Sequence, residues 1–232
     1  MVHHYEIDGL PVQTGDILCT TDGTDRFLAG RFWQLFGLFV PGPIDHVALY
    51  VGPGGRCIES GPAGVTMFEV AANTWDPQQM ARQRAMLADT LYGVAYPLAG
   101  KGFDAQQEET IRRDVAEYCL QQAATDKPYN FNFADSSTER AFYCTQLIYL
   151  AYLRHGIDFN TGQGILGLDC TECFILPQEI WDGCSHRRLE QTSEVTENLG
   201  GRCVRQTSEV TENLGGRCVR QTSEVAENLG GR

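Results

Sequence analysis

A chain of 232 residues, 42% hydrophobic and 21% charged, carries enough apolar material for a sizeable folded core. Its formal net charge of −12 offers no basic field to phosphate, so nucleic acid and anionic membrane are poor partners for it. The opening stretch "MVHHYEIDGLPVQTGD" lacks the basic start and apolar core of a secretory signal, and no run reaches the ~18 apolar residues of a membrane span. A cytoplasmic location is expected, and in that reducing setting the nine cysteines should stay thiols.

In chain order, "GDILCTT" (15–21) predicts a short strand. The next segment, "RFLAGRFWQLFGLFVPGP" (26–43), is dense in aromatics, with Phe27, Phe32, Trp33, Phe36 and Phe39. It is too short to span a bilayer and is flanked by few cations, so core or substrate lid is the favoured reading; residues 27–40 are also the candidate for peripheral membrane contact. "DHVALYVGPGGRCIESG" (45–61) predicts a hairpin around "GPGG", and "FEVAANTW" a continuation of the sheet. Asp104 followed by Gln107 has the form of a capping box, and Ile111, Val115 and Tyr118 mark an amphipathic helix to about Ala124. A second helix is expected over roughly 143–154, and "FILPQEIWDG" closes the body.

Near residue 188 the composition changes. "QTSEVTENLGGRCVR" (191–205) recurs unaltered at 206–220 and then in part at 221–232. Each 15-residue unit holds one Leu, two Val and the helix-ending pair Gly-Gly, too little apolar surface for a solenoid. The expected organisation is a body over 1–188 and a largely disordered tail over 189–232. A multivalent docking tail is the minority alternative.

The chemistry-bearing residues are few. With Val51 opposite Arg56, the hairpin register places Glu59 diagonally from His46 on one face, about 7–8 Å apart between backbones, within reach of a carboxylate–imidazole hydrogen bond. A slip of one residue would turn Glu59 to the other face. Cys144, in "AFYCTQLIYLAY" (141–152), falls at an expected helix start, where the helix dipole and an imidazolium both favour a thiolate. Taken singly, each of these has a plain structural reading: a core thiol, a satisfied strand histidine, a rim carboxylate. His155 is about 16 Å along the helix from Cys144, too far for proton transfer. Cys19, Cys57 and Cys119 lie in strand or helix patterns and read as packing. "CTEC" (170–173) with Cys184 and His186 could supply zinc ligands, but Cys-x-His is too tight for the usual structural pattern. No metal and no cofactor are expected.

The ordered set "GDIL", "HVALYVG", "IESGPAGV", "PYNFNF", "YCTQLIYLAY" and "ILPQEIW", spanning about residues 12–182, resembles the YiiX-like branch of the circularly permuted NlpC-type, papain-like cysteine hydrolases. In the permuted version the histidine precedes the cysteine, as His46 precedes Cys144 here. The resemblance implies an α+β permuted papain-like fold, a small antiparallel sheet packed against a helix carrying the cysteine. It also implies a triad of Cys144 as nucleophile, His46 as base and Glu59 as the polar third member. Asp16 of "GD" and Tyr129 of "PYNF" match recurrent positions, structural or substrate-lining, and Trp33 of the aromatic segment joins them as a candidate substrate contact. The helix reads "CTQL" where the family commonly has "CSEL", so Gln146 cannot serve as an acid. The implied activity is hydrolysis or transfer of an amide or ester acyl group, with a small-molecule, lipid or peptide substrate. The alternatives are a peptidoglycan-type amidase and an inactive lipid- or peptide-binding module using the same groove.

Overall fold

The computed structural model describes residues 1–22, 42–84, 89–161 and 174–190. The chain begins with a hairpin, β1 (His4–Ile7) and β2 (Leu10–Gln13). Asp8 and Gly9 between them both take positive φ, the conformation a tight two-residue turn between twisted strands demands. After it come β3 (Ile17–Asp22), β4 (His46–Tyr50), β5 (Arg56–Gly61), β6 (Gly64–Glu69), α1 (Pro77–Gln83), β7 (Asp89–Tyr96), α2 (Ala105–Ala124), α3 (Cys144–Leu153), α4 (Pro177–Gly183) and β8 (Ser185–Arg188). Strands β3 to β8 form one antiparallel sheet in the order β6-β5-β4-β3-β7-β8. The fold is thus α+β.

Side-chain alternation along the central strands builds a core on each face of this sheet. Ile17 and Cys19 of β3, Val47 and Leu49 of β4 and Ile58 of β5 meet Ile111 and Val115 of α2 and Leu147, Ile148 and Ala151 of α3. Their neighbours Leu18, Ala48, Tyr50 and Cys57 point the other way, onto Phe68, Trp75, Met80 and the β1–β2 hairpin. Burying each large aliphatic side chain is worth about 1.5–3 kcal/mol. The two helix expectations hold closely: α2 starts behind Asp104, whose carboxylate accepts from Gln107 N while Gln107 Oε1 accepts from Asp104 N.

The sheet is larger than the small one expected. "DTLYGVAY" alternates inward and outward as β7 on the far side of β3, and β8 extends the sheet beyond α4. The continuation expected at "FEVAANTW" is mostly loop: β6 ends at Glu69, and Ala72 and Asn73 take positive φ in a 3-10 turn. The aromatic segment with Trp33, "CTEC", and the repeats from 191 onward lie outside the described residues. Among the described residues no helix is long and apolar enough to cross a membrane.

The "GD" pair is a corner brace. Gly15 has φ of +94°, and its carbonyl accepts from Tyr152 Oη of α3 at 2.5 Å. A Cβ there would stand 2.9 Å from that hydroxyl. Asp16 accepts from Gln13 N and from Arg112 Nη1 of α2, each at 2.7 Å. Burial raises the Asp16 carboxyl to about 6, against the pull of Arg112. Asp16→Ala would leave the Arg112 charge buried without its carboxylate. It is expected to cost about 3–5 kcal/mol in urea unfolding, and unchanged stability would remove the brace role.

Candidate active site

The β4–β5 register is the one that brings His46 and Glu59 together. Leu49 pairs with Ile58, Tyr50 with Cys57, and Val51 N donates to Arg56 O at 2.9 Å. The ladder stops there, so the strands part before His46 and Glu59. Across that opening His46 Nε2 lies 2.7 Å from Glu59 Oε2, both side chains being buried. Glu59 is also gripped by a residue with no advance signal in the sequence: Arg84, at the C-terminal end of α1, points Nε at both carboxylate oxygens at 2.9 Å and Nη2 at Oε2.

Cys144 opens α3, where the helix N-terminus directs positive potential at the sulfur. Its approach is fixed from three sides. Ser60 Oγ of β5 donates to Phe142 O at 2.6 Å, Thr145 Oγ1 donates to Ile175 O at 2.5 Å, and Gln146 is wholly buried beneath the turn. The Gln146 amide fills all its roles: Oε1 accepts from Tyr143 N and Asn130 Nδ2, and Nε2 donates to Thr138 O at 2.8 Å and Asp135 O at 3.3 Å. Glutamine at this place therefore has a local reason. A carboxylate would set an acceptor oxygen, where the amide Nε2 stands, against two backbone carbonyls.

The imidazole joins the two halves. Burial disfavours a charged His46, but the Cys144 sulfur, both as a charge and as a hydrogen-bond partner, and then Glu59 outweigh it and raise its pKa to about 10. With Nε2 on Glu59, Nδ1 is the nitrogen left for the sulfur. Burial also works against the Glu59 charge, and Arg84 and His46 together overcome it and hold the carboxyl down at about 2. The other described cysteines differ. Burial pushes the thiols of Cys19, Cys57, Cys119 and Cys184 upward, Cys184 to about 12, so they stay protonated at neutral pH.

The sequence-derived triad of Cys144, His46 and Glu59 is therefore assembled in space. Tyr129 joins it: the phenol is buried and lies close enough to Cys144 for the sulfur to raise its pKa, second to burial itself. Asp16 does not join, for it sits at the start of β3, whereas His46 pairs with Thr20 near that strand's other end. Trp33 lies outside the described residues. Among the described residues no three or more His, Cys, Asp or Glu side chains gather as a metal site. His186 Nδ1 lies 3.0 Å from the carbonyls of both Trp181 and Cys184, and its ring stacks on Trp181. Family models, curated proteins and solved structures, compared with this chain, give no match.

Two outcomes are expected from this geometry. Glu59 has a lowered folded pKa, so its stabilisation is complete above the unfolded value near 4.5 and is lost as pH falls through about 2. His46 has a raised one, so its stabilisation is complete below about 6.5 and is lost as pH rises through about 10. The unfolding free energy of wild type over His46→Ala should accordingly be largest near pH 5–6 and shrink toward pH 10. A difference independent of pH would contradict the buried pair. Gln146→Glu should lower stability by about 1–3 kcal/mol at pH 7, read from the urea midpoint, with Gln146→Met as the apolar control.

Proposed function

We propose that this chain is a cysteine-dependent acyl hydrolase or acyltransferase of the permuted papain-like type, acting on an amide or ester carbonyl. The observation that carries the reading is the imidazole of His46 held at 2.7 Å by Glu59 while it shares hydrogen bond and charge with Cys144. Cys144 Sγ attacks the acyl carbon as the thiolate, and the carbonyl π electrons move to oxygen. The oxyanion is met by the backbone N–H of Cys144, in the first turn of α3, where helix geometry provides no intrahelical acceptor. The His46 imidazolium gives its proton to the leaving amine or alcohol as the carbon–heteroatom bond breaks, leaving a thioester on Cys144. Neutral His46 then takes a proton from the water or other acceptor that attacks the thioester; the C–S bond breaks as the acyl product leaves, restoring the Cys144 thiolate and the His46 imidazolium. Glu59 holds the ring orientation and balances the imidazolium throughout.

An apolar acyl group is the favoured substrate. Tyr129, Phe131, Phe133 and Tyr143 form a run of aromatic contacts beside Cys144, with ring centroids 4.9 Å apart for Tyr129–Phe131 and 5.5 Å apart for Phe133–Tyr143. Phe131, 67% exposed, gives this run an apolar face toward solvent. The proposal keeps Trp33 as a candidate substrate contact and residues 27–40 as a candidate peripheral membrane contact, both outside the described residues, and a cytoplasmic setting.

The test is turnover of activated esters with acyl chains from acetyl to dodecanoyl, with intact-mass detection of the acyl-enzyme. An acyl adduct mapped to Cys144 and absent in Cys144→Ala is expected. The long-to-short ratio of kcat/KM should fall by about tenfold in Phe131→Ser. Absence of an adduct, or cleavage of γ-glutamyl-diaminopimelate peptides in preference to esters, would overturn the reading.

A further inference from the structure

Behind Glu59 lies a second buried carboxylate that the proposed chemistry does not touch. Arg84 spans the two: it faces Glu59 through Nε and Nη2, and Asp89 of β7 through Nη1 at 2.5 Å and Nη2 at 3.0 Å. Its guanidinium is shut off from water and lies against the rings of Phe68 and Trp75, 4.6 and 5.2 Å from their centroids. Asp89 is fixed in turn by the Thr20 hydroxyl, which donates to Oδ2 at 2.6 Å. Thr20 is the β3 residue paired with His46. The set therefore closes on itself, from His46 through Glu59, Arg84, Asp89 and Thr20 back to the backbone of His46.

Charge arithmetic gives this ring a purpose. Arg84 alone would orient Glu59 but cancel its charge, leaving the Cys144 sulfur as the imidazolium's one counterion in a low-dielectric site, and none once that sulfur is acylated. With Asp89 present, two carboxylates share one guanidinium, and the cluster keeps one net negative charge beside His46.

We propose that Arg84 and Asp89 are positioning residues of the active site, Arg84 fixing the Glu59 carboxylate and Asp89 restoring the negative charge that sustains the His46 imidazolium. This rests on the cysteine-hydrolase reading above. The titratable groups that face His46 are Glu59 from β5 and Cys144 from α3. Tyr129 stands against the sulfur from the preceding loop, and Arg84 and Asp89 stand behind Glu59.

The experiment is a pH titration of the His46 imidazole by 15N NMR in the full chain, its resonances assigned among the five histidines by their loss in His46→Gln. Asp89→Asn keeps the side-chain shape, and the Thr20 hydroxyl can reverse to accept from the new amide, so the body is expected to fold. Its His46 midpoint should drop by about one pH unit or more. Arg84→Lys keeps the net charge of the cluster while losing the fork. Its midpoint should stay within a few tenths of wild type even as its melting temperature falls, which separates charge from general loosening. An unmoved midpoint in Asp89→Asn, or a drop of about one pH unit or more in Arg84→Lys, would overturn the proposal, so each variant tests it by itself. Cys144→Ala tests the underlying reading separately. A lowered His46 midpoint there supports the Cys144–His46 pair, and an unchanged one removes that pair whatever Asp89 does.

Discussion

A glutamate that is 1% exposed, with a carboxyl held near 2, is the constraint around which this molecule is arranged. An isolated charge in that position would cost several kcal/mol, and a buried carboxyl left to itself takes up a proton. Glu59 avoids both because Arg84 approaches from the end of α1 and His46 from the start of β4. The compensation needs β4, β5, β7 and α1 in their observed places at once. The proposed site is therefore part of the core of the sheet, not a set of loop residues carried on it.

The same strand sets the other half of the site. Successive residues of β5 project to opposite faces, so while Glu59 reaches His46 and Arg84, its neighbour Ser60 reaches across to Phe142, two residues ahead of Cys144. One strand thus fixes the partner of His46 with one residue and the path into Cys144 with the next. The short β4–β5 ladder matters for this reason. Pairing is confined to Leu49–Ile58 and Tyr50–Cys57, so beyond it His46 and Glu59 meet through their side chains. The cluster behind Glu59 adds rigidity on the far side, its charges balanced down to the single unit that an imidazolium can use.

Much of this was legible before any coordinates. The GPGG turn fixed the hairpin register, and with it the diagonal of His46 and Glu59, because a strand has a period of two and a slip would have reversed the face. Asp104 with Gln107 marked the start of α2 through a reciprocal cap. Cys144 was legible as a helix start because turn-forming residues precede an apolar run. Other elements carry local signals too: Asp8-Gly9 is a strong hairpin turn, Asp76-Pro77 a helix start, and "DTLYGVAY" an alternating strand. Arg84 and Asp89 are a different case. Five residues apart around a helix end, they gain meaning only when β5 and β7, not neighbours in the sheet, are brought to one cluster by the helix between them. Gln146 could be read as unable to act as an acid, but its four hydrogen bonds depend on a loop whose path no local pattern specifies. Asp16 illustrates the converse: a Gly-Asp pair ahead of a strand marks a brace between β3 and α2 as readily as a contact to substrate.

The central claim is that His46 makes Cys144 a nucleophile rather than a buried thiol of the kind found at Cys57 or Cys119. It is tested most directly by the rate of Cys144 modification by iodoacetamide at pH 7 in the folded protein, site-mapped, against the same rate in His46→Ala. The account predicts modification of Cys144 well ahead of the four other described cysteines, slowed at least tenfold when the imidazole is removed. If Cys144 reacts only as the protein unfolds, or reacts equally fast without His46, the sulfur is a core atom and the chain does not cut by this route.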